Sequence, residues 1–169
     1  MRNIVICIVL AFFVSSCFEN VPYKINTEQS GTKVVVGKFD RSLLETDTDW
    51  KEWFDGRYRT YEIDRSTENE IDSLSKGVNF VIVMGTWCGD SKREVPRFLK
   101  ILDSAHVPES SVELHGIDRE MNSPDGSAEK YHVTLVPTII AVKNGKELGR
   151  IEEAPHLTLE RDLLEILKR

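Results

Sequence analysis

The sequence predicts a single α/β domain built on a mixed β-sheet. Its 169 residues suffice for one ordinary domain with a sizeable core. Hydrophobic residues make up 40% and charged residues 30% of the chain, a balance typical of a globular protein. Strand-like and helix-like segments alternate from about residue 58 onward, which indicates strands and helices packed in layers. Near the C-terminus, Asn144-Gly145 predicts a hairpin that adds an antiparallel edge.

The N-terminus predicts a targeting segment. A single positive charge precedes an apolar run at residues 4–14, which has the length of the apolar region of a secretory signal peptide. The run is too short for an ordinary membrane-spanning helix. It ends in Val14-Ser15-Ser16-Cys17, which resembles the lipobox of bacterial lipoproteins and implies cleavage before Cys17 and lipid attachment to its thiol. The alternative is a plain signal peptide or an N-terminal anchor with an incidental cysteine.

These features divide the chain into three parts. We expect a lipoprotein signal peptide at residues 1–16, a polar lipid-anchored tether at residues 17–32, and a domain at residues 33–169. The core of that domain is expected at about residues 58–169, preceded by an N-terminal extension. The mature protein is therefore predicted to be anchored in the cell envelope facing the periplasm, and we favour the outer over the inner membrane.

The first half of the domain is predicted to contain four elements. Three of them are a strand at residues 33–39 with three consecutive valines, a short helix at residues 49–56 with an aromatic face, and a strand at residues 58–63. The fourth is a helix that opens with Thr67 and Glu70 spaced as a capping box and that ends at Gly77.

The second half of the domain begins with an apolar run at residues 78–84. This run is interrupted only by Asn79, which is typical of a strand buried on both faces. A turn separates it from a helix at residues 91–105, whose apolar residues recur at helical spacing. The remaining predicted elements are a strand at 112–117, a turn at 123–126, a short helix at 127–131, strands at 138–142 and 147–151, and a helix at 157–168.

The turn between the buried strand and the following helix has the sequence Trp-Cys-Gly-Asp-Ser at residues 87–91. This arrangement resembles the thioredoxin family, whose members carry a Trp-Cys-Gly-x-Cys motif there. Three further features agree with that family: a proline inside the helix, a Val-Pro-Thr loop before a strand, and the Asn-Gly hairpin turn, at Pro96, residues 136–138 and residues 143–146. The resemblance covers about residues 58–169 and implies a thioredoxin-like fold, in which a central mixed sheet has helices on both faces. Together, the lipobox and residues 85–98 resemble the thioredoxin-family lipoproteins of Bacteroidota-type bacteria.

Cys88 is the candidate catalytic residue. At a helix N-terminus its thiol would face unpaired N–H groups and the positive end of the helix dipole, which both stabilise the nucleophilic thiolate. Lys92 and Arg93 in the first helical turn would add to this effect, whereas the carboxylate of Asp90 opposes it. Because these influences have opposite signs, the sequence leaves their net effect open.

The resemblance also implies a substrate platform. In thioredoxin-like proteins a cis-proline loop lies beside the reactive sulfur and offers backbone groups to an extended substrate chain. The matching loop here is the Val-Pro-Thr segment that precedes the predicted strand. We expect the substrate to contact five residues: Trp87, Gly89, Asp90, Val136 and Pro137.

Ser91 stands where the family has its second, resolving cysteine. A hydroxyl forms no disulfide, and with Cys17 lipidated no other thiol of the mature chain would resolve a mixed disulfide at Cys88. The site is therefore predicted to be monothiol and to depend on an external thiol reductant. We expect Ser91 to assist Cys88 by hydrogen bonding to its thiolate.

Four interpretations of Cys88 compete. The favoured one is a monothiol exchange enzyme that reduces or isomerises disulfides, or removes small-thiol adducts, in redox homeostasis outside the cytoplasm. The alternative is a thioredoxin-fold binding module with little or no redox turnover. Cluster or metal binding, suggested by the similar Cys-Gly-x-Ser motif of monothiol glutaredoxins, does not suit an exported lipoprotein. A buried structural cysteine does not suit a full Trp-Cys-Gly turn.

The predicted partners are protein or small-molecule thiols and disulfides, the external reductant and the membrane. No cofactor, metal ion or nucleic acid is expected, and a net charge of −6 gives no basic surface for nucleic acid. The loop at residues 118–120 faces the same end of the sheet as Cys88, and we favour a solvated loop there over a substrate contact. The four histidines lack the spacing of zinc ligands and are expected at the surface or at helix ends: His106, His115, His132 and His156.

Overall fold

The computed structural model describes residues 23–169. The predicted signal peptide, the predicted lipidation site Cys17 and the first part of the predicted tether lie outside the described residues. Within residues 23–169, no helix combines the length and the apolar character that crossing a membrane requires.

Six strands form one mixed sheet. They are β1 (Lys24–Thr27), β2 (Lys33–Phe39), β3 (Val78–Met84), β4 (Val112–Gly116), β5 (Thr138–Lys143) and β6 (Lys146–Glu152). Their spatial order is β1-β2-β4-β3-β5-β6. β3 and β4 are parallel, and every other neighbouring pair is antiparallel. The predicted mixed sheet is confirmed, and the hairpin between β5 and β6 has positive φ at both Asn144 and Gly145.

The central strand β3 separates two hydrophobic cores. Phe80, Ile82 and Met84 lie in the larger core, whereas Val81 and Val83 lie in the smaller one on the opposite face. All of its residues except Asn79 are buried. This burial on both faces explains the continuous apolar run from which the strand was predicted.

Helices cover both faces of the sheet, as the thioredoxin-like fold implies. The larger core packs against α1 (Ser42–Thr46), α2 (Lys51–Thr60), α3 (Arg65–Leu74), α4 (Gly89–Ser104) and α6 (Leu159–Leu167). The smaller core packs against α5 (Ser127–Lys130). A 3-10 turn at Glu109–Ser111 leads into β4. The helices predicted at residues 91–105, 127–131 and 157–168 are confirmed to within two residues at either end.

The strand predicted at residues 58–63 is wrong. α2 continues through Thr60, and the next four residues have no regular structure before α3 begins. Tyr58 stacks on Phe54 one helical turn earlier, with ring centroids 5.9 Å apart. Packing of this helical aromatic face against the core outweighs the local strand preference of Tyr and Thr.

The start of α3 also differs from the predicted capping box. The N-cap residue is Asp64, whose carboxylate accepts a hydrogen bond from the backbone N–H of Ser66. Thr67 consequently lies inside the helix, where its hydroxyl donates to the backbone carbonyl of Asp64 at 2.7 Å. Asp and Thr are both good N-cap residues, and Asp64, which comes first in the chain, is the N-cap here.

Part of the segment predicted as a tether belongs to the sheet. β1 pairs with β2, from Lys24 opposite Val36 to Thr27 opposite Lys33. Every residue of β1 is exposed, so backbone hydrogen bonds define this strand without the apolar alternation that sequence patterns detect. Because β2 in turn pairs with β4, the sheet begins well before residue 58, where the core was expected to start.

Candidate active site

Cys88 lies where β3 passes into α4. The backbone N–H of Cys88 donates to the carbonyl of Gly85 at 2.9 Å, which closes the turn, and its own carbonyl accepts from Lys92 at 3.1 Å, which opens the helix. Cys88 is thus the N-cap residue, with φ −81° and ψ 130°. Its half-buried side chain makes no capping hydrogen bond. Because Cys88 is the N-cap residue, its side chain lies near the positive end of the helix dipole. Among residues 23–169 it is the one free cysteine.

The predicted substrate platform meets this sulfur. The Cys88 thiol donates a hydrogen bond to the carbonyl oxygen of Val136, 3.2 Å from Sγ. The peptide bond between Val136 and Pro137 is cis, and both residues are buried, whereas the preceding Leu135 is 40% exposed. The fold therefore brings together two segments that lie 48 residues apart in the chain.

Ser91 makes a different contact from the predicted one. Its side chain is fully buried, and its hydroxyl oxygen accepts a hydrogen bond from the backbone N–H of Gly85 at 3.2 Å. Ser91 therefore ties the start of α4 to the end of β3, and no hydrogen bond joins it to the Cys88 sulfur in the described part of the chain. The position that carries the resolving cysteine in the family here supports the turn.

Two of the charges predicted to act on Cys88 from α4, those of Asp90 and Arg93, are paired with each other. Arg93 pairs with the carboxylate of Asp90 at 2.6 Å and with that of the buried Glu94 at 2.5 Å. The hydrogen bond with Glu94, and after it the one with Asp90, raises the pKa of Arg93. Neither Asp90 nor Arg93 is an isolated charge beside the sulfur.

Trp87 forms one wall of the site. Its indole N–H donates to the backbone carbonyl of Ile117 at 3.0 Å. The ring packs so closely on Gly85 that a Cβ at that position would lie 2.6 Å from the indole, a distance that excludes any side chain there. Arg119 also lies over the ring, with its Cζ 4.8 Å from the ring centroid. The interpretation of residues 118–120 as a solvated loop agrees with the exposure of Arg119 and Glu120, although the Arg119 side chain also lies over the Trp87 ring.

Neither of two well-formed cavities in the described region is lined by Cys88 or Val136. One, of about 520 Å³, lies between the β1–β2 turn and the loop after β4, and Arg119 lines it. The other, of about 620 Å³, lies between β2, α4 and the 3-10 turn and shares no lining residue with the Cys88 site. The candidate site is therefore defined by the contact between Cys88 and the proline loop, apart from the 620 Å³ cavity.

Comparison with known proteins identifies the domain. A family model described as thioredoxin matches residues 37–161. The chain belongs to the thioredoxin family. The thioredoxin of Chlamydia trachomatis is 33% identical over 85 residues, which cover 50% of this chain and 78% of that protein. The thioredoxin of Echinococcus granulosus is 36% identical over 83 residues, which cover 48% of this chain and 72% of that protein.

A solved structure supports the same fold. A Pseudomonas aeruginosa protein of unknown function superposes with a TM-score of 0.55 and 13% sequence identity, over 78% of this chain and 90% of that one. At this identity the likeness concerns the fold alone. The thioredoxin-family part of the resemblance drawn from residues 87–91 is thus confirmed.

One histidine of this thioredoxin-family domain was misplaced by the sequence analysis. His115, expected at the surface, is buried on β4 between two carboxylates. Its Nδ1 lies 2.6 Å from Asp125 and its Nε2 lies 3.3 Å from Glu113. The loop after β4 folds back over the strand and supplies Asp125, which the sequence pattern did not indicate. Within residues 23–169, no three His, Cys, Asp or Glu side chains are grouped as a metal site would require.

Asp125 is expected to make stability depend on pH. Burial raises the pKa of this carboxyl, but hydrogen bonds with His115, Ser123 and Ser127 outweigh burial and hold the pKa well below its usual range. A carboxylate with a lowered native pKa stabilises the fold above its unfolded pKa of about 3.9, and this contribution is lost as the pH falls further. Asp125→Asn should lower the free energy of unfolding by about 2 kcal/mol at neutral pH.

Chemical denaturation of both proteins at neutral pH and at about pH 3 measures this difference. We expect the gap between the Asp125→Asn variant and the parent to shrink in acid. A gap of the same size at both pH values would contradict the role of the charged carboxylate. Glu113→Gln is the matched control, since Glu113 is more exposed than Asp125 and its loss should cost less.

Proposed function

We propose that this protein is a lipid-anchored thiol–disulfide exchange protein of the cell envelope in which Cys88 works alone. The observation that carries the proposal is the contact between the Cys88 sulfur and the carbonyl of Val136, in the cis-proline loop, at 3.2 Å. It puts a half-buried thiol at a helix N-terminus beside a loop from which an extended substrate can be held.

The position of Cys88 favours nucleophilic chemistry. Unpaired N–H groups of the first turn of α4 and the helix dipole stabilise negative charge at the N-cap. In the thiol form the sulfur donates to Val136, and loss of the proton removes that hydrogen bond and leaves the sulfur free to attack. The exposed Leu135 and the half-buried Trp87 flank the path by which a disulfide would approach.

Reduction of a substrate disulfide proceeds in three exchange steps. The Cys88 thiolate attacks one sulfur of the disulfide, the S–S bond breaks, and the other substrate sulfur leaves as a thiolate that takes up a proton. An external thiolate then attacks the Cys88 sulfur, which releases the second substrate thiolate and leaves the external thiol bound to Cys88. A second external thiolate attacks the outer sulfur of that adduct and releases the Cys88 thiolate, so two external thiols become one disulfide while the substrate disulfide becomes two thiols. In isomerisation another thiolate of the substrate attacks the mixed disulfide instead, and no external thiol is consumed.

Ser91 supports the monothiol form of this cycle. Its hydroxyl replaces the family's second thiol, is buried, and is engaged by the N–H of Gly85. A mixed disulfide at Cys88 therefore waits for a thiol from solution, which suits removal of small-thiol adducts or isomerisation in the presence of a thiol pool. The residues proposed to contact the substrate are Trp87, Gly89, Asp90, Val136 and Pro137.

The proposed anchor rests on the N-terminal sequence. The lipobox-like residues 14–17 and the preceding apolar run support cleavage before Cys17 and acylation of its thiol. From Cys17, a short segment would lead to the exposed Tyr23 at the edge of the sheet. This arrangement would hold the Cys88 site close to the membrane, with the outer membrane favoured.

Isolation of the protein from its native host tests both parts of the proposal. We expect it in the membrane fraction, with a mature N-terminus at an acylated Cys17, and with partner proteins attached through a bond that a reductant breaks. Cys88→Ala is the matched control and should lose those partners. An unmodified Cys17 would contradict the anchor. Partners that remain bound to Cys88→Ala would instead favour a binding module with little redox turnover.

A further inference from the structure

Arg119 links the N-terminal hairpin to the Cys88 site. It follows β4 by a short connection, and its guanidinium lies over the face of Trp87 with Cζ 4.8 Å from the ring centroid. Its Nε donates to the carboxylate of Glu28 at 2.7 Å. Glu28 begins the turn between β1 and β2, whose backbone is closed by the hydrogen bond from Glu28 N–H to the Thr32 carbonyl. Two fixed partners therefore define where this cation lies.

The guanidinium lies beside the reactive cysteine, because Trp87, over which it packs, directly precedes Cys88 in the chain. The hydrogen bond with Glu28 is the main influence that raises the pKa of Arg119; burial opposes it, and the charges of Glu28, Glu120 and Cys88 add smaller upward effects. The side chain is 51% exposed. The Glu28 contact is made through Nε, so the guanidinium keeps contact with solvent while it lies over Trp87.

The other charged groups near the sulfur are less suited to this role. Arg93 is held by Asp90 and Glu94 on α4. The carboxylate of Asp118 accepts from the backbone N–H of Asn122, which fixes it within its own loop. Lys92 lies on α4 in the first helical turn, without the aromatic and carboxylate contacts that hold Arg119 in place.

We propose that Arg119 is a positioning residue for the exchange reaction, holding a positive charge toward the Cys88 thiolate while Glu28 partly offsets that charge. The proposal deepens the function proposed above and rests on it. The physical consequence is a pair of opposite effects. Removing the cation disfavours the thiolate, whereas removing the carboxylate leaves the cation uncompensated and favours the thiolate.

This opposition separates an electrostatic role from a structural one. Arg119→Met and Glu28→Gln both break the same ion pair and both loosen the contact between the hairpin and Trp87. If Arg119 and Glu28 act only structurally, both substitutions should change the alkylation rate of Cys88 in the same direction. If they act through their charges, the two rates should change in opposite directions.

The experiment measures alkylation of Cys88 by the neutral reagent iodoacetamide across a range of pH at low ionic strength. Near neutral pH we expect Arg119→Met to react about fivefold more slowly than the parent and Glu28→Gln about twofold to threefold faster. The three curves should converge at high pH, where every protein is fully thiolate, and should approach each other in high salt. Lys92→Met is the matched control and should change the rate less than Arg119→Met.

Three results would overturn the proposal. The first is a change of the alkylation rate in the same direction in both variants, and the second is a difference in rate that persists at high pH. The third is an effect of Arg119→Met seen with the anionic reagent dithiobis(nitrobenzoate) and not with iodoacetamide. The last would mean that Arg119 binds the carboxylate of the reagent. If Cys88 of the parent reacts no faster than a free cysteine while the two variants still diverge, the proposed function fails and only the electrostatic effect of Arg119 on the thiolate is upheld.

Discussion

Cys88→Ala is expected to lower thiol–disulfide exchange to the rate of the uncatalysed reaction. The thiol is the nucleophile in the proposed cycle, and no second thiol exists among residues 23–169 to replace it. The assay follows release of a small thiol from a mixed disulfide with a model peptide, in the presence of excess small thiol. Cys88→Ser is the closer control in shape, because a hydroxyl can still donate to the carbonyl of Val136 yet is a poor nucleophile at neutral pH.

Stability measurements show whether a loss of exchange comes from the missing thiol or from unfolding of the variant. Cys88 is half-buried and contributes one weak hydrogen bond, so Cys88→Ser should change the free energy of unfolding by less than about 1 kcal/mol. Exchange at the parental rate in a folded Cys88→Ser protein would exclude Cys88 as the nucleophile. That result, with partners still bound, would support the binding module.

Ser91→Cys is expected to convert the site into a dithiol. Residues 88 and 91 lie one helical turn apart at the start of α4, a spacing that brings side chains onto one face. The new thiol would be fully shielded, as Ser91 is, and would attack a mixed disulfide at Cys88 from within the protein. Release of the substrate should then become independent of the concentration of the external thiol.

Ser91→Ala is the matched control, because it removes the hydroxyl without adding a thiol. Ser91→Ala removes the hydrogen bond from the N–H of Gly85 and Ser91→Cys replaces it with a weaker one to sulfur, which should cost about 1 kcal/mol of stability in each. Mass spectrometry of the oxidised Ser91→Cys protein should find an internal disulfide that resists alkylation. Two alkylatable thiols after oxidation, or a release rate that still follows the external thiol, would contradict this prediction.

The part of the fold that was predicted correctly rests on local patterns. The apolar run of β3, the helical spacing of α4 and the Asn-Gly turn each depend on neighbouring residues in the chain, and the structure confirms all three. Cys88 was located for the same reason, because a strand, a tight turn and a helix follow one another directly around it. A one-domain α/β architecture follows from such a series of elements.

The errors arise where packing between distant segments decides the outcome. β1 is fully exposed and is a strand only because β2 offers it backbone partners. Residues 58–60 extend α2 because their aromatic face meets the core. His115 is buried because Asp125 returns from the following loop to pair with it.

The sequence by itself determined which groups stand at the proposed site: a thiol at a strand–helix junction, a serine three residues later, and a proline loop before a strand. The tertiary structure decided which partners those groups have. It placed the Cys88 sulfur against Val136, engaged Ser91 with Gly85, and brought Glu28 to Arg119 across 91 positions of the chain. Residue identity sets which hydrogen bonds and charges are available, whereas their partners depend on which segments the folded chain brings within a few ångströms.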